Sequence, residues 1–191
     1  MCKKIIFENG LLITEKALAA GISKAELYEY IKENNLERVA HGVYAKEDDL
    51  VDTSYIVHLR CPKAVFSHDE AFYYHDLVDR EPMQTTVTIY TGYNTSRLVE
   101  SGAKVYTVKK ELLNLGLIEI TDNFGNKLPM YNLERTICDL VRSRSSIEVQ
   151  DFHTALKRYV TKQEKDLNRL ISYAKLFRVE KIIRQYMEVL L

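Results

Sequence analysis

The amino-acid sequence predicts an α+β protein, in which an N-terminal winged helix-turn-helix precedes a mixed α/β C-terminal domain ending in several helices. Three observations support this. Residues 12–45 have the pattern of two short helices around a glycine, followed by two extended runs around His41-Gly42. Short β-type runs then recur between residues 64 and 131. From residue 133 onward, apolar side chains recur at helical spacing.

The N-terminal elements are marked by capping and turn residues. Thr14 is a candidate N-cap for a first helix through residue 20, and Gly21 ends that helix. Ser23 and Glu26 have the spacing of a capping box, which predicts a second helix to about residue 34. Residues 36–39 and 43–45 then form a two-stranded ribbon.

A charged run at residues 46–49 separates the two predicted domains. We therefore assign residues 1–49 to the winged helix-turn-helix and residues 50–191 to the C-terminal domain, with a linking helix over residues 50–60. Ser67 and Glu70 repeat the capping-box spacing and predict a helix to about residue 75. The strand candidates in this domain are residues 64–66, 85–91, 104–108, 117–121 and 127–131.

The second helix separates its side chains by character. At 100° per residue, Leu27 and Ile31 form a buried seam, with a polar arc containing two lysines beside it and glutamates on the far side. A helix that reads DNA needs donors facing the groove and tolerates acids turned to solvent. The predicted DNA-binding residues, on this helix and on the ribbon, are Ser23, Lys24, Tyr28, Lys32, Arg38 and His41.

The charge distribution leaves an alternative open. Residues 1–50 carry seven Lys/Arg and nine Asp/Glu, whereas residues 131–191 carry twelve and eight, in a chain of zero net charge. In this alternative, the module is a winged helix that binds a protein and not DNA. The lysines of the second helix are then ordinary solvated side chains. A second basic face, for nucleic acid or for another macromolecular partner, is predicted at Arg158, Lys162, Lys165 and Arg169.

Enzymatic function is not predicted, because the chain has no glycine-rich phosphate loop, no GxSxG and no HExxH motif. His68 and His75 are candidate metal ligands, but hydrogen bonding within the fold is the favoured alternative. Three separated cysteines without a CxxC pair support neither zinc nor disulfides. Arg135 and Asp139, at i and i+4, are interpreted as architecture that ties a helix to the sheet. We expect no cofactor and no metal.

A cytoplasmic location is expected from two absences in the sequence. No apolar run approaches the roughly 18 residues that predict a membrane span. The first ten residues carry two lysines but only a three-residue apolar run, which does not fit a signal peptide.

Three blocks of sequence, in order, resemble the AbiEi-type antitoxins of bacterial abortive-infection toxin–antitoxin systems. The first block contains Gly21-Ile22-Ser23, Leu36-Glu37-Arg38-Val39 and Gly42-Val43-Tyr44. The second is Ala64-Val65-Phe66-Ser67-His68 with Ala71, His75 and Leu77, and the third is residues 131–140, YNLERTICDL. The resemblance extends over nearly the whole chain.

The resemblance implies a protein with two functions in phage defence. The winged helix would bind inverted repeats in its own promoter and repress transcription, as monomers that cooperate on DNA. The C-terminal domain would counter a nucleotidyltransferase-like toxin without forming a stable complex, and its second basic face would bind nucleic acid or antagonise the toxin. Residues from about 60 onward are then expected to suffice for neutralisation.

Overall fold

The computed structural model describes residues 7–191, which form the mixed α+β fold that the sequence predicts. The expectation that the chain starts without a signal peptide rests partly on residues 1–6, which lie outside the described residues. Across the described part, no helix combines the length and apolarity that crossing a membrane requires.

The N-terminal elements surround a small antiparallel sheet. They are β1 (Leu12–Ile13), α1 (Thr14–Ala19), α2 (Lys24–Glu33), β2 (Glu37–Ala40) and β3 (Val43–Ala45). The strand order is β1-β3-β2, and a register shift interrupts the β2–β3 pairing between Arg38 and Ala40. Strand β1 was not predicted, because two residues carry no periodic signal of their own.

The capping box at Ser23 is confirmed, whereas the predicted cap at Thr14 is wrong. The Ser23 hydroxyl accepts from the Glu26 amide at 3.2 Å, and the Ser23 amide donates to the Glu26 carboxylate at 2.8 Å. Thr14 is instead the first residue of α1, and its amide donates to the Gly42 carbonyl at 2.8 Å. A backbone carbonyl of the hairpin therefore accepts from the first amide of α1, whereas the threonine hydroxyl was expected to cap this helix.

The linking helix is shorter than predicted. It is α3 (Thr53–Arg60), and residues 50–52 precede it. Asp52 caps it by accepting from the Ser54 amide at 2.9 Å.

A five-stranded sheet forms the centre of the C-terminal part. Its strands are β4 (Val65–Phe66), β5 (Thr86–Tyr90), β6 (Lys104–Val108), β7 (Leu117–Thr121) and β8 (Lys127–Tyr131), in the order β6-β5-β4-β8-β7. The pairs β5–β6 and β4–β8 are parallel, and the others are antiparallel. All five predicted strands are confirmed, because β-branched residues and turn residues delimit them clearly.

The predicted capping box at Ser67 is wrong. Helix α4 (Asp69–Tyr74) follows His68, whose φ is +52° and whose side chain makes no cap bond. The Ser67 hydroxyl instead lies 2.8 Å from the Thr88 hydroxyl on β5. The neighbouring strand takes the hydroxyl that the local pattern assigned to the helix. The Thr86 hydroxyl on the same strand instead accepts from the Glu70 amide in the first turn of α4, at 3.1 Å. Helix α5 (Ser96–Glu100), one turn long, was not predicted.

Four helices pack against one another and against the sheet. They are α6 (Leu133–Arg142), α7 (Val149–Thr161), α8 (Leu167–Phe177) and α9 (Glu180–Leu190). Asn132 caps α6 by accepting from the Arg135 amide at 3.0 Å. Helix α6 is buried from Leu133 to Val141, so it forms the centre of the helical layer.

The N-terminal elements and the C-terminal part share a hydrophobic core. Leu11, Ile13, Val43 and Ala45 belong to the same buried cluster as the sheet and α6, while a smaller separate cluster lies between α1 and α2. The Tyr55 hydroxyl donates to Glu8 at 2.8 Å across this junction. One hydrophobic core therefore contains residues from both sides of the predicted boundary at residue 49.

Candidate nucleic-acid interface

Helix α2 presents the predicted polar arc to solvent. Leu27 and Ile31 are buried in the small cluster, as their spacing predicts. Lys24 and Lys32 are exposed, and Tyr28 is 59% exposed between them. The three side chains thus form one accessible surface with two cations and one hydroxyl.

Ser23 has a structural role at the start of this helix. Its oxygen is used in the capping box with Glu26. The hydroxyl hydrogen remains available for donation to a phosphate, which is the contact a serine at a helix N-terminus commonly makes with nucleic acid.

The β2–β3 hairpin presents the other two predicted residues. Arg38 is exposed, and its Nε donates to the Ala40 carbonyl at 3.4 Å; His41 is exposed at the turn. Gly42 has a φ of +75°, and a Cβ there would lie 2.8 Å from the Thr14 hydroxyl. Glycine is therefore required at this turn, because both the backbone conformation and the close approach of α1 exclude a side chain.

The predicted second basic face is partly compensated by carboxylates. Arg158 pairs with Asp79 at 2.6 Å, and Lys162 pairs with Asp76 at 3.6 Å. These two ion pairs join the end of α7 to the residues that follow α4 and offset the charge of both cations. Lys165 donates to the Lys162 carbonyl at 3.1 Å and forms no ion pair with the described residues.

Arg169 is compensated in the same way. It lies 3.3 Å from Glu134, whose side chain is 2% exposed, and 3.3 Å from Asp166. Glu134 also accepts from the Asp166 amide at 2.9 Å. The carboxylate thus attaches the start of α8 to α6, a role that the sequence did not suggest.

Arg135 is fully buried and ties α6 to the sheet, as interpreted from its spacing with Asp139. Its Nε lies 3.0 Å from Asp139, and its Nη1 donates to the carbonyls of Leu112 and Leu115 at 2.8 Å each. The guanidinium also lies 3.8 Å from the Tyr131 ring centroid and 4.3 Å from that of Phe177. The cation therefore lies between two aromatic rings in the interior, while its Nη2 has no hydrogen-bond partner among the described residues.

A buried polar network surrounds His68. Its Nδ1 lies 3.0 Å from the Ser67 hydroxyl, and its Nε2 lies 3.1 Å from the Ser143 hydroxyl at the end of α6. The ring stacks on Tyr106, with 3.4 Å between centroids. The sequence drew attention to His68, but Ser143 and Tyr106 are distant in the chain and no local signal indicated them.

Burial lowers the pKa of His68 to about 4, from an ordinary value of 6.5. The unfolded chain therefore takes up the proton first as the pH falls. We expect a loss of stability of about 3 kcal/mol between pH 6.5 and pH 4 from this residue. His68→Asn, which removes the titratable ring, should remove this part of the pH dependence. Urea denaturation of both proteins across this range measures the difference.

Ser143→Ala is the matched control for that experiment, because it removes a hydrogen bond to the ring while leaving the ring to titrate. It should lower the stability by about 1 kcal/mol at every pH and keep the slope. The comparison between variants is needed because Glu70 changes the stability in the opposite direction as the pH falls. Burial raises the pKa of Glu70 to about 7. Parallel pH profiles for wild type and His68→Asn would contradict the assignment.

His68 and His75 do not share a site. The Nε2 of His75 lies 2.8 Å from the Tyr131 carbonyl, whereas His68 contacts serines. Nowhere in residues 7–191 do three His, Cys, Asp or Glu side chains come together in a group that could hold a metal ion. The hydrogen bonds show what each histidine does in the fold.

An acidic cleft of about 610 Å³ lies between the linking helix, the loop after α4 and the β7–β8 turn. Burial and the neighbouring Asp122 raise the pKa of Asp52 in this cleft to about 6. Both carboxylates accept from the Asn126 amide, at 2.9 Å and 3.0 Å. Their geometry connects α3 to the β7–β8 turn.

No known protein family matches the chain, and no curated protein matches it by sequence. Among solved structures, the chain is similar to the RV2827C protein from Mycobacterium tuberculosis, with a TM-score of 0.59 and 14% sequence identity. The match covers 85% of this chain and 64% of that one, so the chain spans less than two thirds of its neighbour. At this identity the likeness shows a shared overall fold.

Proposed function

We propose that this protein is a transcriptional autorepressor and antitoxin of an abortive-infection toxin–antitoxin system. Its N-terminal module would bind inverted repeats in its own promoter, as monomers that cooperate on DNA. Its C-terminal domain would counter a nucleotidyltransferase-like toxin without a stable complex. The observation that carries the DNA-binding half is the exposed surface of Lys24, Tyr28 and Lys32 on α2, beside a hairpin that presents Arg38 and His41.

The order of elements supports this proposal. Two helices joined at Gly21 and followed by the β2–β3 hairpin have the connectivity of a winged helix-turn-helix, with α2 in the position of the recognition helix. Leu27 and Ile31 anchor α2 by its inner face, which leaves the cationic face for the major groove. The hairpin would lie along the backbone or in the minor groove.

The antitoxin half rests on the three sequence blocks that resemble AbiEi-type antitoxins. The second and third blocks contribute His68, His75 and Arg135, which the structure uses as buried connections between elements. These residues therefore support the fold of the C-terminal domain, and the surface that counters the toxin lies elsewhere under this proposal.

The DNA-binding half is tested with Lys24→Ala/Arg38→Ala. Both side chains are exposed, so the double variant should fold normally. It should lose footprinting of the promoter and repression of a reporter, because each lost phosphate or base contact weakens binding by about tenfold. Toxin neutralisation in the same cells should be unchanged.

Lys63→Ala/Lys109→Ala is the matched control, since it removes two exposed lysines from the C-terminal part. It should bind the promoter like wild type. Wild-type binding should also weaken by about 0.9 log units per log unit of salt for each phosphate neutralised. A Lys24→Ala/Arg38→Ala protein that still footprints the promoter would refute the assignment of the reading surface.

A second candidate is a winged helix that docks a protein partner and does not bind DNA. The observation favouring it is charge: α2 also carries Glu29 and Glu33 on exposed positions, and residues 1–50 hold more acids than bases. Under this alternative, the full chain gives no shift of upstream DNA even at low salt, where phosphate contacts are strongest.

A further inference from the structure

Helix α9 packs on the rest of the protein with a broad apolar face. Val179 at its N-cap, Ile183 and Met187 are buried in the core. Ile182, Tyr186 and Leu190 are partly buried and also pack against this core. Together with the exposed Val189, these three side chains line a surface groove with α7.

The groove is open and has a volume of about 520 Å³. The Tyr186 ring forms its floor and lies 5.3 Å from the Phe152 ring, measured between centroids. Ile182 and Leu190 are half-buried, whereas Val189 is 84% exposed. The groove therefore has an apolar floor and an apolar wall that water covers only at a cost.

The rim of the groove is cationic. Arg144 and Lys157 line it together with His153, and no carboxylate belongs to its lining. Unlike the neighbouring Arg158 and Lys162, which pair with Asp79 and Asp76, neither rim cation forms an ion pair with any residue of the described chain. Two unpaired cations of the C-terminal helical region therefore lie beside the apolar side chains of the groove.

We propose that this groove binds an acidic amphipathic helix of a protein partner. Apolar side chains of that helix would fill the space between α7 and α9, and its carboxylates would face Arg144 and Lys157. This is the helix-in-groove mode of recognition, in which an amphipathic helix lays its apolar face along a hydrophobic groove. Flanking charges of opposite sign then set the orientation.

Charge argues against two other occupants. A second copy of this chain would bring the same cations face to face across a symmetric contact, which is unfavourable. Nucleic acid would match the cations, but it would leave Ile182, Val189 and Leu190 against sugar and phosphate, with only Tyr186 able to stack on a base.

The test uses the full chain and a labelled synthetic peptide of about 16 residues, long enough to form a marginal helix. The peptide has leucines at i, i+3, i+4 and i+7 with glutamates flanking them, and a matched peptide has lysines in place of the glutamates. Fluorescence anisotropy should show binding of the acidic peptide and at least tenfold weaker binding of the basic one. Amide chemical shifts should change along α7 and α9.

Two variants locate the binding. Val189→Glu and Lys157→Glu place a carboxylate in the wall and in the rim, and each should weaken the acidic peptide by about tenfold. Both positions are exposed, so melting temperatures should remain those of wild type. The matched controls on α8 are Leu176→Glu, where the native side chain is 55% exposed, and Lys175→Glu, and both should bind like wild type.

The proposal is overturned if the two peptides bind equally, or if the α8 controls weaken binding as much as the groove variants. It is also overturned if sedimentation shows a dimer that Val189→Glu dissociates, because the occupant is then a second copy. Duplex DNA whose affinity falls tenfold on Val189→Glu would overturn it in favour of nucleic acid.

Discussion

Arg135→Ala is expected to leave most of the chain unfolded at room temperature. The Arg135 side chain is 0% exposed and that of Asp139 is 1% exposed. Removing the guanidinium leaves the carboxylate with Arg142 alone, at 3.0 Å, and takes a donor from the carbonyls of Leu112 and Leu115. The Leu112 carbonyl keeps the Leu115 amide as a donor at 3.3 Å. The substitution also opens a cavity between the rings of Tyr131 and Phe177.

The expected loss is large compared with the stability of an ordinary domain. Breaking a buried ion pair from one side costs about 3–5 kcal/mol, and an unsatisfied buried carbonyl adds about 1 kcal/mol or more. A domain has about 5–15 kcal/mol in total. Urea denaturation followed by circular dichroism measures the loss directly.

Two further variants sharpen this experiment. Arg135→Lys keeps the charge but cannot reach the carboxylate and both carbonyls at once, so it should fall between wild type and Arg135→Ala. Arg184→Ala removes an exposed i,i+4 partner of Glu180 and should cost less than about 0.5 kcal/mol. An Arg135→Ala protein within about 1 kcal/mol of wild type would show that the network contributes little.

The second large effect is expected on deleting residues 1–50. The deletion removes Leu11, Ile13 and Val43 from the core that contains Tyr55 and Val57. At about 1.5–3 kcal/mol for each large apolar side chain, the loss is of the order of 5 kcal/mol or more. We therefore expect the fragment of residues 51–191 to lack a cooperative unfolding transition.

This expectation changes how the effect of a truncation on function should be interpreted. From the sequence, residues from about 60 onward are expected to suffice for countering a toxin. Because the core is shared, we expect a truncated protein to unfold. It would then fail to protect cells wherever the antagonising surface lies. Lys24→Ala/Arg38→Ala separates the two proposed functions without removing core residues.

A pair of point variants tests the shared core without deletion. Ile13→Ala acts on the shared cluster and Ile22→Ala acts on the separate cluster between α1 and α2. Ile13→Ala should lower amide protection in the five-stranded sheet, since it creates a cavity worth about 2–4 kcal/mol there. Ile22→Ala should lower it in α1 and α2 only. Equal effects of the two variants on the sheet would contradict a core that is shared through Ile13.

Helices and strands with a local signal were predictable from the sequence. Two capping-box patterns show the limit of such predictions. Ser23 and Ser67 have the same spacing to a glutamate. At Ser23 the hydroxyl caps α2, whereas at Ser67 it lies against Thr88 of β5. A pattern of four residues specifies a possible hydrogen bond, but a neighbouring strand distant in sequence decides whether it forms.

Charged residues show the same division. The sequence grouped Arg158 and Lys162 as a basic face, because their carboxylate partners Asp79 and Asp76 lie about eighty residues away in the chain. The sequence does not single out the unpaired cations Arg144 and Lys157, because the neighbouring residues in the chain do not distinguish a paired cation from a free one. Spatial pairing, not charge count, determines which cations face a ligand.

The sequence by itself determined the α+β composition, the positions of most helices and strands, and the exposed arc of Lys24, Tyr28 and Lys32 on α2. These properties depend on periodicity and capping over a few residues, which the chain encodes locally. Only the tertiary structure decided that the N-terminal elements share a core with the sheet, that Arg135 is enclosed, and that the unpaired Arg144 and Lys157 border an apolar groove. Those properties depend on contacts between residues far apart in the chain, which no local pattern specifies.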